Sequence, residues 1–589
     1  MTEAELTEAE LTEARPPAGG AWRQRWRALP VGAQRVPLWI LLGMVLLQPT
    51  PHRVGSTVVG DLGDSMFLTW TLSWGAEALR TDPLGAFDAS IFHPEPQALA
   101  LSDPMLSVAP IFGVFEWLTG DAIAALNLTM FVLFVIALAS SHALGMRLFG
   151  RPDAALVMAI VTCCNGYVFG QQNHPQLQTF GFVSLGFVLL LATLERRRDR
   201  DAIGLGLAVT AMVLSVPLYG LIWVLGALVV VGALWLQGSL APIRHLVRPG
   251  AVSVATAAIV VGPVAKIYLD VDERNGLARG YEPSGSLTPT DFLTPHRGNW
   301  SWGTTLDGIN SVGKAGEHWF FLGFSVIVLG IVGFVRLGVL LRRNADALRT
   351  GIRIDEIAAL SAAALAALAL AVGPSPGGLP GPFRAFHRFV PGFDGIRVTS
   401  RFTVVAVVAL AALVALSYQF LTDRFAGRWH RFAAPLLVVV ILVEVGGPAG
   451  RVEVPEGDQL AAYEVLADLP DGAVVELPIK VPGNGISWPF VEAPRMYHSL
   501  TDRNTRINGY SGAVPAGFEA TAGTLNQWPS PDAIALTESL ELRYVLLHGE
   551  PEATDGAFSA ADLATLGEQA VANGYRVIPA GDDLVVILE

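Results

Sequence analysis

Three aspartates in one segment are the side chains best suited to chemistry in this sequence. Asp61 and Asp64 follow the first hydrophobic stretch, and Asp103 ends the same segment just before Pro104. Separated carboxylates can divide labour, because one can take a proton from a nucleophilic hydroxyl while the other orients a substrate or a metal ion. Asp64 and Asp103 are equally well placed to cap helices, so both interpretations stay open here.

Four consecutive hydrogen-bonding residues, from Gln171 to His174, form a second polar group between two apolar stretches. This number of polar side chains exceeds the need of a tight turn, and polar residues inside a membrane usually face a cavity rather than lipid. We therefore expect Asn173 and His174 to contact a substrate. The alternative is a solvated turn that ends at the helix-starting Pro175.

Arg397 and Arg401 form a third group, where a later apolar stretch begins. Guanidinium groups bind phosphate through paired donors, and a lipid phosphate would lie at this level of a membrane. The sequence predicts a phosphate contact at Arg401 and a weaker one at Arg397. The alternative is that both long side chains snorkel to the membrane surface.

The composition indicates that membrane-spanning helices position these groups. The 589 residues have a mean hydropathy of +0.47, and only 15% of them are charged. A net charge of −13 excludes nucleic acid as a partner, because no basic face is left over. Cys163 and Cys164 are the only cysteines and are adjacent, so neither a disulfide nor a zinc site is predicted.

Eleven apolar segments are predicted to cross the bilayer. They are 36–50, 121–146, 153–170, 176–195, 202–218, 219–237, 249–269, 318–341, 355–373, 402–421 and 432–448. Arginines gather in every second connection, and basic residues favour the cytoplasmic side. The tail 1–35 is therefore predicted to be cytoplasmic and disordered, and the odd number of spans places the C-terminus outside the cell membrane.

The first outer loop, 51–120, is predicted to carry two helices that lie in the membrane plane. Residues 104–119 are interrupted by proline and are shorter than the roughly 20 residues of a crossing. Residues 66–79 contain Trp70 and Trp74, and tryptophan is typical of a helix at the membrane interface.

A soluble α/β domain is predicted over 451–589, after a membrane domain over 36–450. The composition becomes acidic and mixed near residue 451. Strand-like runs and helical patterns alternate from there on. The strands are predicted at 473–477, 544–547 and 584–588, and the helices at 458–469 and 559–573.

Taken together, the chain resembles the GT-C class of integral membrane glycosyltransferases, and in particular a bacterial branch of it. The resembling segments are Gly60 to Asp103, 391–402 and the soluble motifs 475–478, 496–499, 506–512 and 542–545. The resemblance implies an α-helical polytopic membrane protein with about eleven spans and a C-terminal α/β domain.

The resemblance also implies roles for individual residues. In GT-C enzymes an acid of the first outer loop is the catalytic base or contacts a metal, and the donor is a sugar on a polyprenyl phosphate. Asp64 or Asp61 would then deprotonate an acceptor hydroxyl, Asp103 would be the second acid, and Arg401 would steady the donor phosphate. The resemblance allows a divalent cation as cofactor, with its ligands unassigned.

The motif 508–512 contributes Asn508 and Tyr510 as candidates for an acceptor-sugar surface. The other candidates for this surface are Glu476, Tyr497, His498 and Arg506. A tight glycine-containing loop is the alternative. These expectations describe an inverting glycosyltransferase that moves a sugar from a polyprenyl-phosphate donor in the lipid bilayer to an extracytoplasmic glycan, lipid or protein. A flippase for lipid-linked sugars and a non-catalytic cell-envelope scaffold are the competing hypotheses.

Overall fold

A computed structural model provides the structure of most of the chain. It describes residues 35–47, 53–277, 285–296, 298–303, 305–306, 316–343, 351–374, 379–390, 392–425, 430–447, 450–454, 460–483, 487–550 and 556–588. The predicted disordered tail, except for its last residue, lies outside the described residues.

Helices make up nearly all of the described membrane part. They are α1 (Val36–Leu47), α2 (Leu62–Thr81), α3 (Ala109–Thr119), α4 (Ala122–Phe149), α5 (Pro152–Cys163), α6 (Gly166–Gly170), α7 (Gly181–Arg196), α8 (Asp199–Ser215), α9 (Pro217–Leu236), α10 (Val247–Asn275), α11 (Phe324–Arg343), α12 (Ile354–Ala371), α13 (Pro382–Phe389), α14 (Thr403–Arg424) and α15 (His430–Val445).

Eight helical segments of the described chain are long and apolar enough to cross a membrane. They correspond to α4, α5 with α6, α7, α9, α10, α11, α12 and α14. Each of the eleven predicted spans coincides with a helix, but α1, α8 and α15 have only 12, 17 and 16 described residues. The chain is a multi-pass membrane protein, and the count of eleven spans stays a prediction.

The helices α2 and α3 occupy the two segments predicted to lie in the membrane plane. The helix α3 has 11 residues, and Trp117 and Leu118 on it are 81% and 62% exposed, as a lipid-facing surface would be. By contrast, Trp70 of α2 is buried and stacks on Trp74 with ring centroids 6.2 Å apart. The Trp70 side chain therefore packs inside the protein, and the position of α2 in the membrane plane stays a prediction.

A short antiparallel sheet joins the first outer loop to the end of the membrane part. In it, β1 (Thr57–Val59) pairs with β2 (Arg451–Glu453). The Asn127 side chain supports this sheet by donating to the carbonyl oxygens of Val54 and Thr57, both at 2.8 Å. Strands that are bonded to each other lie on one side of a membrane, so an even number of crossings must separate β1 from β2.

Ion pairs connect the loops at the other end of the helices. Arg147 binds Glu356 at 2.6 Å and Glu195 at 2.8 Å, and Arg353 also binds Glu195 at 2.6 Å. These residues lie in, or at the span ends next to, three of the connections that the charge bias assigns to the cytoplasm. The structure thus gathers those three connections at one end of the helices.

The residues after β2 form a mixed sheet with flanking helices. The elements are α16 (Ala461–Ala467), β3 (Ala473–Leu477), α17 (Ser487–His498), α18 (Phe518–Leu525), α19 (Pro531–Ser539), β4 (Leu542–Leu547), β5 (Gly549–Glu550), β6 (Phe558–Ser559), α20 (Ala560–Ala572), β7 (Arg576–Ala580) and β8 (Asp583–Ile587). The order of the strands in the sheet is β3–β4–β8–β7, in which β3 and β4 are parallel and the other neighbours antiparallel. All five predicted elements are present, and β5 to β7 and α17 to α19 are additions.

The C-terminal domain and the first outer loop share one hydrophobic core. Trp70 and Leu99 from the loop belong to the same buried cluster as Val475 from the domain. Backbone hydrogen bonds reinforce the contact, since the Phe92 amide donates to the Asn508 carbonyl. This shared core fixes the beginning of α2 relative to the C-terminal domain.

Candidate active site

Asp64 lies at the centre of a cluster of charged and polar side chains, at the end of the molecule that holds β1 and the C-terminal domain. Its Oδ2 lies 2.5 Å from His174 Nδ1, and its Oδ1 accepts a hydrogen bond from the Tyr510 hydroxyl at 2.7 Å. The Asp64 side chain keeps 17% of its surface exposed. Each carboxylate oxygen has two lone pairs, so an acceptor site remains for a substrate hydroxyl.

Asp61 has a different environment, although it precedes Asp64 by only three residues. Its backbone is extended just before α2, and its Oδ1 accepts a hydrogen bond from the Asp64 amide at 3.0 Å. This is N-cap geometry, which is favoured because the first amides of a helix lack partners within it. The cap therefore lies at Asp61, and Asp64 occupies the first turn, where the helix dipole stabilises a negative charge.

Glu317 connects His174 to Arg401. Its Oε1 lies 3.3 Å from His174 Nε2 and 2.8 Å from Arg401 Nη2. Its Oε2 accepts a hydrogen bond from Gln171 Nε2 at 3.1 Å. Asp64, His174, Glu317 and Arg401 therefore form a continuous row of contacts in which negative and positive groups alternate.

Glu317 is not among the site residues predicted from the sequence, because of where it lies in the chain. It stands directly before the segment predicted to cross at 318–341, whereas α11 begins only at Phe324. The residue pair Glu317-His318 beside an apolar run was the available signal. His318 is buried and its Nδ1 lies 2.9 Å from Asp291 Oδ2, which anchors the backbone next to Glu317.

A close backbone contact positions the segment that holds His174. The amide of Gly166, at the start of α6, donates to the Phe321 carbonyl at 2.8 Å. A Cβ at residue 166 would clash with the backbone of Phe321, so only glycine fits. Asn165 caps α6, which ends after five residues and leads through a tight 3-10 turn to His174.

Hydrogen bonds and opposite charges outweigh burial in setting the protonation states of the cluster. Burial tends to raise the pKa of Asp64, but the His174 and Tyr510 hydrogen bonds hold it below its ordinary value. Burial tends to lower the pKa of His174, yet its bonds to Asp64 and Glu317 raise it to about 9. Burial also tends to raise the pKa of Glu317, but the positive charge of Arg401 is the main cause that holds it well below its usual range. At neutral pH two carboxylates therefore flank an imidazolium.

Tyr510 brings the C-terminal domain into the cluster. Its ring packs edge-on against Trp488 and Phe67, with centroid distances of 4.9 and 5.3 Å. Burial and the charge of Asp64 raise the pKa of Tyr510, so its hydroxyl stays protonated and donates to Asp64. Arg397 is exposed and close enough to Tyr510 to act on it electrostatically.

Asp103 and Asn173 complete the group of candidates from the membrane part. Asp103 is partly buried and acts electrostatically on Arg401, so it lies at the edge of the cluster. It does not cap α3, whose N-cap residue is Val108. The Asn173 side chain lies outside the described part of the structure.

Asn508 is not brought into the cluster. It is 2% exposed, and its amide bonds the backbone of Glu476 and the Glu492 carboxylate. Glu476 pairs with Arg506 Nε at 2.5 Å. These residues form a network inside the C-terminal domain rather than an open surface, and Tyr510 is the motif residue that reaches the site.

The donor set does not fit a resident divalent cation. Within the residues that the structure describes, no group of three His, Cys, Asp or Glu side chains is arranged to hold a metal. Both oxygens of Asp64 and both of Glu317 already contact nitrogen or hydroxyl donors. Each ring nitrogen of His174 faces a carboxylate, whereas a histidine that ligates a metal is neutral and presents a lone pair.

Part of the cluster is exposed, since the side chains of Asp64 and His174 keep 17% and 28% of their surface. A cleft next to them is lined by Ser65 and Pro175, which directly follow Asp64 and His174 in the chain, together with Arg451 and further polar and apolar side chains. A second cleft lies where the first outer loop meets the C-terminal domain, and none of its lining residues belongs to the cluster. The exposed parts of Asp64 and His174 are therefore the places where a substrate could reach the cluster.

Comparisons with known proteins find similarity in structure but not in sequence. No family model and no curated protein matches the chain. The oligosaccharyltransferase of Archaeoglobus fulgidus, tethered to an acceptor peptide, matches with a TM-score of 0.50 and 12% identity over 89% of this chain and 70% of that one. The arabinofuranosyltransferase AftD from Mycobacteria matches with a TM-score of 0.47 and 15% identity over 95% of this chain and 40% of that one. ArnT from Cupriavidus metallidurans, bound to undecaprenyl phosphate, matches with a TM-score of 0.37 and 13% identity over 94% of this chain and 97% of that one.

Identities this low bear on the fold alone. The archaeal oligosaccharyltransferase is a GT-C glycosyltransferase, and its likeness extends over both the membrane part and the C-terminal part of this chain. The order of helices followed by a small mixed sheet agrees with the resemblance found in the sequence. The chain has a GT-C-like fold.

Proposed function

We propose that this protein is a membrane glycosyltransferase that moves a sugar from a polyprenyl-phosphate-linked donor to an extracytoplasmic acceptor, with Asp64 as the catalytic base. The observation that supports this most is the meeting of Asp64, His174, Glu317, Arg401 and Tyr510 from five separate segments at one accessible point. The fold is shared with an oligosaccharyltransferase, which makes transfer of a glycan the reaction to test first.

The reaction needs a base for the acceptor. In the proposed step the acceptor oxygen attacks the anomeric carbon, and its proton passes to Asp64. The bond from that carbon to the phosphate oxygen breaks, and its electron pair leaves with the polyprenyl phosphate. Attack from the face opposite the phosphate inverts the configuration. Burial alone would favour the neutral acid, but the His174 and Tyr510 hydrogen bonds keep the pKa of Asp64 below its ordinary value, so Asp64 is a carboxylate at neutral pH and can take the proton.

The leaving phosphate needs positive charge. Arg401 uses Nη2 for Glu317, and in the described part of the structure its buried Nε has no hydrogen-bond partner. A guanidinium has five donors, so others remain for a phosphate. Arg397 adds an exposed positive charge beside Tyr510. Stabilising the developing charge of a leaving phosphate is the main electrostatic demand of such a transfer.

The proposed location is the outer face of the cell membrane, with the N-terminus in the cytoplasm and the C-terminal domain outside. The pairing of β1 with β2 supports a position of the first loop and the C-terminal domain on the same side of the membrane. The arginine-rich loops gathered at the opposite end of the helices support the assignment of that opposite end to the cytoplasm.

Complementation of a deletion strain tests the proposal. We expect Asp64→Asn to reduce formation of the host's extracytoplasmic glycan on the order of 100-fold or more, as loss of a general base does. Asp61→Asn serves as the matched control, because asparagine keeps the capping oxygen and we expect normal glycan formation. Full activity of Asp64→Asn would overturn the role of Asp64. Loss of the glycan in the deletion strain, with lipid-linked sugar trapped on the cytoplasmic side, would instead support the flippase hypothesis.

A further inference from the structure

We propose that the imidazolium of His174, held between Asp64 and Glu317, occupies the place of a divalent cation in this active site, so that transfer proceeds without a metal. The inference rests on the proposed function and deepens it. It concerns the cofactor, for which the resemblance in the sequence allowed a divalent cation.

The surroundings of the His174 ring favour the cationic form of the imidazole. A neutral imidazole has one N–H donor and one bare nitrogen, which repels a carboxylate. His174 places Nδ1 at 2.5 Å from Asp64 Oδ2 and Nε2 at 3.3 Å from Glu317 Oε1. Both nitrogens therefore face carboxylate oxygen atoms, and both can donate to them when the ring is an imidazolium. Protonation to the imidazolium satisfies this arrangement.

The surrounding charges leave no room for a metal at the same point. The groups that act on His174 are Asp64 and Glu317, with the more distant Asp61 also coupled to it. Arg401 already neutralises Glu317 from the other side at 2.8 Å. A divalent cation bound to Asp64 and Glu317 would have to displace one positive group and would be repelled by the other.

His174 and Glu317 are positioning residues in this arrangement, because they act through Asp64 and Arg401. The imidazolium holds Asp64 ionised and fixes one of its oxygens. Glu317 holds the imidazolium and the Arg401 guanidinium with a single carboxylate oxygen. The cluster thus supplies fixed positive charge from side chains, where a metal site would supply it from an ion.

Manganese(II) binding to the purified full chain in lipid nanodiscs tests this inference. We expect electron paramagnetic resonance titrations to show the same Mn²⁺ stoichiometry for the wild-type protein and Asp64→Asn. One additional equivalent in the wild-type protein, lost in Asp64→Asn, would overturn the inference. Glycan formation in membrane vesicles, which hold their own donor, should be unchanged by excess EDTA, and inhibition that Mn²⁺ reverses would equally overturn it.

Nuclear magnetic resonance of the wild-type protein gives a readout that does not depend on activity. In a sample labelled with ¹⁵N in its 11 histidines, the His174 ring should show two protonated nitrogens at pH 8. The His174→Gln variant serves only to assign that signal. A ring with one bare nitrogen at pH 8 would contradict the inference.

The outcomes separate this inference from the proposed function. Stoichiometric Mn²⁺ at Asp64, with transfer dependent on it, would refute the imidazolium and leave the glycosyltransferase standing. An unchanged glycan profile in the deletion strain would refute the glycosyltransferase, whereas the doubly protonated His174 ring would still be observed.

Discussion

At the scale of single residues, the chemistry of Asp64 depends on partners far away in the chain. His174 lies 110 positions and Tyr510 446 positions from it, yet each bonds one of its two oxygens. A carboxylate that accepts hydrogen bonds in its charged form is stabilised in that form. Asp64 therefore owes its lowered pKa to donors that its own segment does not contain.

Removing the Tyr510 hydroxyl should change the pH dependence of transfer. In Tyr510→Phe, Asp64 loses a hydrogen bond to its charged form, so its pKa rises toward the ordinary value. Hydrogen bonds to charged groups contribute about 1.5–3 kcal/mol, so we expect the acid limb to move to higher pH by about one to two units. The measurement is the transfer rate in membrane vesicles as a function of pH.

A matched variant separates this effect from a general loss of stability. Tyr544→Phe removes a hydroxyl that donates to the Pro470 carbonyl at 2.6 Å, away from the cluster. We expect it to leave the pH profile in place. An unshifted acid limb in Tyr510→Phe would show that Tyr510 does not set the charge of Asp64.

At the scale of elements, the first turn of α2 gives two neighbouring acids different tasks. Asp61 is outside the helix and binds a free amide, whereas Asp64 is inside it and points to the other segments. Burial and the charge of Asp64 raise the pKa of Asp61. This direction fits a capping residue, because the hydrogen bond that Asp61 accepts comes from a backbone amide and not from a cation. One helix start thus provides both a structural and a chemical carboxylate.

Loss of the cap should weaken the start of α2. We expect Asp61→Ala to lower the free energy of unfolding by about 1 kcal/mol, because the Asp64 amide loses its acceptor. Asp61→Asn keeps the acceptor and removes a like charge beside Asp64, so it should unfold as the wild-type protein does. Thermal unfolding in detergent measures both, and equal loss of stability in the two variants would contradict the capping role.

The C-terminal domain contains a buried ionic network that we expect to stabilise it. Arg506 is 1% exposed and binds Glu476 and Asp502, at 2.5 and 2.6 Å. In Arg506→Gln the Glu476 carboxylate loses the positive charge of Arg506 but stays buried. We expect the free energy of unfolding to fall by about 3–5 kcal/mol.

A surface arginine is the control for this experiment. Arg80 pairs with Glu77 at 2.6 Å, but its side chain is 71% exposed. We expect Arg80→Gln to leave thermal unfolding unchanged, because exposed ion pairs are weak. If Arg506→Gln were equally harmless, the network would be an exposed surface, as the acceptor-binding hypothesis requires.

At the scale of the whole molecule, two sets of contacts divide the protein into two ends. The β1–β2 sheet and the shared hydrophobic core hold the first loop and the C-terminal domain together. The Arg147 ion pairs hold three loops at the opposite end. All five residues of the cluster lie at the first end, so a substrate would meet them from one side of the membrane.

Cysteine labelling in intact cells should confirm these sides. The native Cys163 and Cys164 are buried and should not react with a membrane-impermeant maleimide. We expect Leu84→Cys and Glu453→Cys, both exposed, to be labelled from outside, and Arg198→Cys only after lysis. Labelling of Leu84→Cys and Glu453→Cys from opposite sides would be incompatible with the β1–β2 pairing.

The sequence by itself determined the class of protein and the segments that form its helices. Membrane helices follow local hydropathy, because each must satisfy its own backbone hydrogen bonds in lipid. For the same reason every predicted span coincides with a helix, and the local alternation after residue 451 locates β3, β4 and β8. Asp64, His174 and Arg401 could be selected from their types and positions.

Only the tertiary structure decided how those residues are used. It distinguished Asp61 as the cap from Asp64 in the cluster, buried Asn508, and added Glu317 as the link between His174 and Arg401. These assignments depend on contacts between segments far apart in the chain. The pattern of a single segment records its own periodicity and hydropathy, but the charge of a buried carboxylate is set by whichever donors the fold packs against it.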